Sequence, residues 1–131
     1  MRNPKWHRDE IILALELYFT LKSGQIDANN PAVIELSEIL NKLPIHPERP
    51  DAAKFRNPNG VGLKLSNFLA IDPNHQGKGM QSYSNLDEVI FNEFVDNKPL
   101  LKKLADKIKK TVANSELTQA LHQLVTQRRM S

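Results

Sequence analysis

Apolar residues in this chain return every three or four positions, block after block, and almost nowhere alternate at the two-residue period of a strand. That spacing predicts a single compact all-α domain of five to six helices, with room for one short hairpin at most. From Arg8 to Phe19, Ile11, Leu15, Tyr18 and Phe19 share a face and Leu13 and Leu17 widen it, which marks a central helix. Asp9 and Glu10 occupy its first turn, where carboxylates favour the positive end of the helix dipole. Ser23-Gly24 ends it. A second helix opens at Asn30-Pro31, an N-cap followed by a first-turn proline. It aligns Val33, Leu36, Ile39, Leu40 and Leu43, and stops at Pro44.

A connector holding Pro44, Pro47, Pro50 and Pro58 follows. The third helix is expected from about Asn59-Gly60, burying Val61, Leu65, Phe68 and Leu69 and turning Gly62, Lys64 and Asn67 outward. Asp72-Pro73 ends it. The loop from His75 to Ser84 is loosened by Gly77 and Gly79, and the hairpin, if formed, falls between Gly77 and Tyr83. Leu86 to Val95, with Asn85 as cap, reads as a fourth helix. Pro99 opens a fifth through Leu101, Leu104, Ile108 and Val112, and Glu116 to Thr126 makes a sixth with Leu117, Leu121, Leu124 and Val125. Phe55 and Phe68 read as core, and Trp6 as a packing contact under the first helix.

With 131 residues, 40% of them apolar and 25% charged, the chain fits one domain rather than a disordered segment. It has no cysteine, which removes disulfides, thiolate zinc sites and cysteine nucleophiles together. No apolar run approaches the roughly 20 residues of a membrane span, and the basic start lacks a secretory apolar stretch, so the expected address is the cytoplasm. Net charge is +3 but unevenly placed: residues 81–97 hold four carboxylates and no lysine or arginine, while residues 98–131 hold eight bases against two acids. Any electrostatic footprint must therefore be local.

Catalytic patterns are absent. His7, His46, His75 and His122 lie on four separate segments, without the i, i+4 spacing of a helical zinc pair. No nucleophile elbow or phosphate loop occurs. Asp96-Asn97-Lys98, with Asp72 or Asp87 upstream, matches an acid-x-Lys nuclease pattern, but it falls between two helices. No metal, cofactor or catalytic activity is expected. Binding has more support. Lys54-Phe55-Arg56-Asn57-Pro58-Asn59-Gly60 leads into a helix N-terminus, whose free N–H groups suit a phosphate, and Arg56 and Lys64 add charge there. Lys78 stands between two glycines, and Tyr83 follows in a polar loop where it could stack on a base. The basic amphipathic run Lys98–Lys110 could face phosphate, anionic lipid or water.

These same residues carry a resemblance. Trp6-His7-Arg8-Asp9-Glu10-Ile11-Ile12-Leu13-Ala14-Leu15 with Leu17-Tyr18-Phe19, then Leu36-Ser37 and Leu40, then Phe55-Arg56-Asn57-Pro58-Asn59-Gly60-Val61 with Lys64-Leu65 and Asn67-Phe68, then Asp72-Pro73 and Gly77-Lys78-Gly79, resemble one family. It is the N-terminal domain that precedes HNH nuclease modules in McrA-like, modification-dependent restriction endonucleases. The resemblance spans about residues 5–110 and rests chiefly on the Phe-Arg-Asn-Pro-Asn-Gly-Val block. It implies a specificity domain that directs a nuclease to modified duplex DNA, such as methylated cytosine. The family's two-histidine nuclease module is not in this chain, so the nuclease would lie in a parent chain or a partner.

Taken together, residues 1–112 are expected to be a helical DNA-binding domain and residues 113–131 a C-terminal helix or linker toward a further module. Lys54, Arg56 and Lys64 would hold phosphates, Lys78 would reach phosphate or groove, and Asn57, Asn59, Asn67 or Tyr83 would read bases. The acidic segment with Asp87, Glu88, Glu93 and Asp96 should face away from the duplex. A helical protein-interaction adaptor, or a DNA-binding regulator without a nuclease partner, is the competing expectation.

Overall fold

The computed structural model describes residues 2–75 and 78–130. It is all-helical: α1 (Arg8–Thr20), α2 (Pro31–Lys42), α3 (Pro58–Ile71), α4 (Asn85–Phe94) and α5 (Lys98–Met130), with 3-10 turns at Ser23–Gln25 and Pro73–His75. Among the described residues there is no strand, so the hairpin is not formed there; Gly77 lies outside them. Among the described residues, no helix is long and apolar enough to cross a membrane.

α1 is the axis. Five consecutive residues, Ile11 to Leu15, are buried together with Glu10 and Tyr18, and the helix touches each of the other four. Around it close Val33, Leu36 and Leu40 of α2, Val61, Leu65 and Phe68 of α3, Ile90, Phe91 and Phe94 of α4, and Leu101, Ala105 and Val112 of α5. The ring of Tyr18 meets Phe19, Phe68 and Phe91 at centroid distances of 5.4 to 6.4 Å, and its hydroxyl donates to Asp72 at 2.8 Å. Burial, the bond to Asp72 and the adjacent charge push the Tyr18 phenol well above its ordinary value.

Local chemistry sets the helix starts. Asn30 caps α2 by accepting from the Ala32 N–H, and Ser84 rather than Asn85 caps α4, in a reciprocal box with Asp87. α3 begins at Pro58, a residue or two earlier than the periodicity implied, because the Asn57 side chain accepts from the Gly60 N–H. The expected fifth and sixth helices are one: with no glycine or proline after Pro99, nothing interrupts α5 up to Met130. The orientation of α3 also differs from expectation, since Lys64 and Asn67 point inward and are buried.

The loop before α4 is held down at Gly79. Its φ is +80°, and a Cβ there would lie 2.3 Å from the Ser66 carbonyl oxygen and 2.7 Å from the Ala70 nitrogen. The neighbouring Met80 N–H donates to that Ser66 carbonyl at 3.1 Å. Gly79→Ala should therefore cost about 1–3 kcal/mol or undock the loop. Gly24→Ala, where a Cβ meets nothing within 4 Å, should change stability by less than about 0.5 kcal/mol. Urea denaturation of both variants checks the contrast.

Candidate nucleic-acid interface

The residues of the most distinctive sequence blocks converge on a buried charge. Glu10 is fully buried in the first turn of α1. Its Oε2 accepts from Arg56 Nε at 2.7 Å; its Oε1 accepts from Arg56 Nη2 at 3.1 Å and from the His7 backbone N–H at 2.9 Å. His46 Nε2 lies 2.6 Å from Oε1 and, since a carboxylate can only accept, carries the proton of that bond. Burial alone would push the Glu10 carboxyl up. The hydrogen bonds from Arg56, His7 and His46, with the Arg56 charge, outweigh it and hold the group below the usual carboxylate range.

Arg56 is thus a structural cation, 6% exposed, and not the phosphate contact expected of it. Its Nη2 also donates to the Pro4 and Lys5 carbonyls at 2.9 and 3.2 Å, which ties the N-terminal segment to the connector. Its guanidinium lies 4.5 Å from the Phe55 ring centroid and 4.8 Å from that of Trp6. Its backbone sits at φ 45°, in the left-handed region a non-glycine residue adopts only under constraint. The constraint comes from α2: Ser37 Oγ donates to the Arg56 carbonyl at 2.7 Å, and Asn41 Nδ2 donates to the Phe55 carbonyl at 3.1 Å.

Lys64 is the second correction. Its Nζ donates to both oxygens of the fully buried Asp87, at 3.0 and 2.8 Å, and lies 5.2 Å from the Trp6 centroid. Asp87 therefore belongs to the interior, while Glu93 pairs with Arg8 through two bonds of 2.7 and 2.8 Å. Asn57 is occupied as the α3 cap. Asn67 is buried, with its Oδ1 unpartnered among the described residues. Arg56, Lys64 and Asn67 are turned into the interior, away from any duplex, and Arg56 and Lys64 are already neutralised by carboxylates; Asn57 is half-buried with its side-chain oxygen spent on the cap.

Lys54, Asn59 and Lys78 remain exposed and Tyr83 half-buried. Lys54 lies in the turn that Asn3 clamps, through reciprocal bonds of its side chain to the Asp51 backbone at 3.0 and 3.1 Å. The N-terminal segment, with exposed Lys5, runs beside that turn. Between Lys5, Trp6 and Lys64 on one side and Ser84, Asn85 and Leu86 at the start of α4 on the other is a cleft of about 480 Å³. That volume lies within the range of small-ligand sites. Tyr83 is its immediate chain neighbour. Among the described residues no three histidine, aspartate or glutamate side chains converge as a metal site. No family model, curated protein or solved structure matches the chain.

Sequence reading missed Glu10, His46, Asp87 and Trp6 as one connected set. The one local signal was the His7–Glu10 spacing, which forms a reciprocal cap. Removing one member of a buried pair leaves its partner's charge stranded, so Glu10→Gln should cost about 3–5 kcal/mol, with Asp87→Asn comparable. Because the Glu10 carboxyl is depressed in the folded state, its contribution is present above an unfolded value near 4.3 and is lost as pH falls through the lower folded value. Wild-type stability should drop on acidification below about pH 4 and Glu10→Gln should lack that component, as urea midpoints across pH 2.5–6 would record.

Proposed function

We propose that this chain is a recognition module for duplex DNA, probing for modified bases on behalf of a nuclease that it does not itself contain. The observation that carries this reading is the cleft beside Trp6, open to solvent and edged by the exposed Lys5. Trp6 lines that cleft with Arg56 and Lys64 over its ring, and an indole at a cleft wall is the kind of group against which a base drawn out of its stack can pack. Lys5, Lys54 and Lys78 supply the exposed ammonium groups for phosphates. Asn59 and Tyr83, the base-reading candidates still reachable from solvent, stand at the start of α3 and next to the cleft. The resemblance of the Trp6–Leu15 and Phe55–Val61 blocks to modification-dependent restriction specificity domains supports the same reading.

Trp6 is the chain's single tryptophan, so its fluorescence reports on the cleft directly. Titration with a methylcytosine-containing duplex should quench or shift that emission and an unmodified duplex should do so less. Lys5→Gln with Lys54→Gln should weaken binding to both duplexes alike and reduce the log–log salt slope by about 2. No gel retardation at low salt, with emission unmoved by either duplex, would leave the protein-interaction adaptor as the function.

A further inference from the structure

α5 changes sides partway along. Up to Val112 its buried residues Leu101, Ala105 and Val112 face the bundle, and Lys109 reaches Glu16 of α1 at 3.7 Å. Past Val112 its apolar residues are solvent-facing: Leu117 is 60% exposed, Leu121 55%, Leu124 57% and Val125 49%. At about 100° per residue, the Leu117–Leu121–Leu124 row lies about 150° around the axis from the packed row. It points away from the bundle, so the bundle cannot cover it. Glu116, on the side toward α2, pairs with Lys42 at the end of that helix at 2.7 Å, which agrees with that orientation.

On the same outward side, nearer the start of α5, stand Lys103, Lys107 and Lys110, all exposed, along a shallow hollow of about 420 Å³. Among the described residues none of the three has a carboxylate within 4.0 Å, whereas Lys102 pairs with Asp106 at 3.5 Å. The lysine and leucine rows lie within about 40° of each other and form one stripe on the order of 33 Å long.

We propose that this stripe docks an acidic amphipathic helix of a protein partner. Its apolar residues, at i, i+3 or i+4, and i+7, would cover Leu117, Leu121 and Leu124, and carboxylates at one end would meet Lys103, Lys107 and Lys110. Charge complementarity selects this occupant over a second copy. A parallel copy would set each lysine row against its twin. An antiparallel copy centred on Leu121 would carry the two Lys110 residues about 33 Å apart and match no cation. A duplex would meet the lysines and leave the leucines uncovered.

The test uses the full chain and a labelled synthetic 22-residue helical peptide, with leucines at those spacings in one half and glutamates in the other, followed by fluorescence anisotropy. Saturable binding is expected. It should fall about tenfold or more with Leu117→Ser, Leu121→Ser and Leu124→Ser combined, and again with Lys103→Glu, Lys107→Glu and Lys110→Glu combined. A peptide with lysines in place of the glutamates should bind weakly to the wild type and recover on the charge-reversed chain. All six positions are exposed, so both variants should retain wild-type far-ultraviolet dichroism. Equal affinity for both peptides overturns the proposal. So does light scattering that reports a wild-type dimer returned to monomer by the serine variant, or loss of duplex binding on charge reversal. The DNA reading rests on Lys5, Trp6 and Lys54 instead, so each can fail without the other.

Discussion

The rest of the molecule is arranged around keeping Glu10 ionised in the interior. An isolated buried carboxylate would be driven to its neutral form, so four hydrogen-bond donors reach it from three residues, His7, His46 and Arg56. Satisfying it recruits Arg56, whose own remaining donors fasten the N-terminal segment, and whose left-handed backbone is clamped by Ser37 and Asn41. Arg56 then packs on Trp6, Trp6 packs on Lys64, and Lys64 neutralises Asp87 at the start of α4. The proline-rich connector, which has no regular structure of its own, is held both by the Arg56 ion pair and by apolar contacts, with Phe55 buried and Ile45 packed against the core.

Such a network makes only a modest net contribution to stability, because desolvating the ions offsets much of their attraction. Its physical effect is to define one arrangement of α1, the connector, α3 and α4, since any other packing strands a charge. The cleft is a by-product of that arrangement: its floor is a cation already neutralised, and its wall is an aromatic ring held in place.

Periodicity made the helical faces legible in advance. Ile11, Leu15 and Tyr18, Val33, Leu36 and Leu40, and Val61, Leu65 and Phe68 all pack where a 3.6-residue repeat puts them. Charged positions were not legible, because a helical wheel ranks residues by polarity and carries no information about partners. Lys64 and Asp87 lie 23 residues apart, Glu10 and Arg56 46 apart, and nothing local in the chain pairs them. Cations therefore looked solvated, and a motif that builds the interior looked like one that meets a ligand. Lys54 and Lys78 did stay exposed, and Tyr83 is half-buried. The two helices expected after Pro99 are one, and the apolar residues past Val112 lie on a different face of it from those before.

That change of face has a geometric corollary. Beyond Val112 the helix is a rod of about 27 Å whose roll angle is set by the bundle. One residue added or removed near Ala113 would turn everything past it through about 100°, and three or four would nearly restore the original bearing. The spacing between Val112 and Leu117 thus acts as an index mark: an insertion there keeps the bearing of the leucine row only in steps of whole turns.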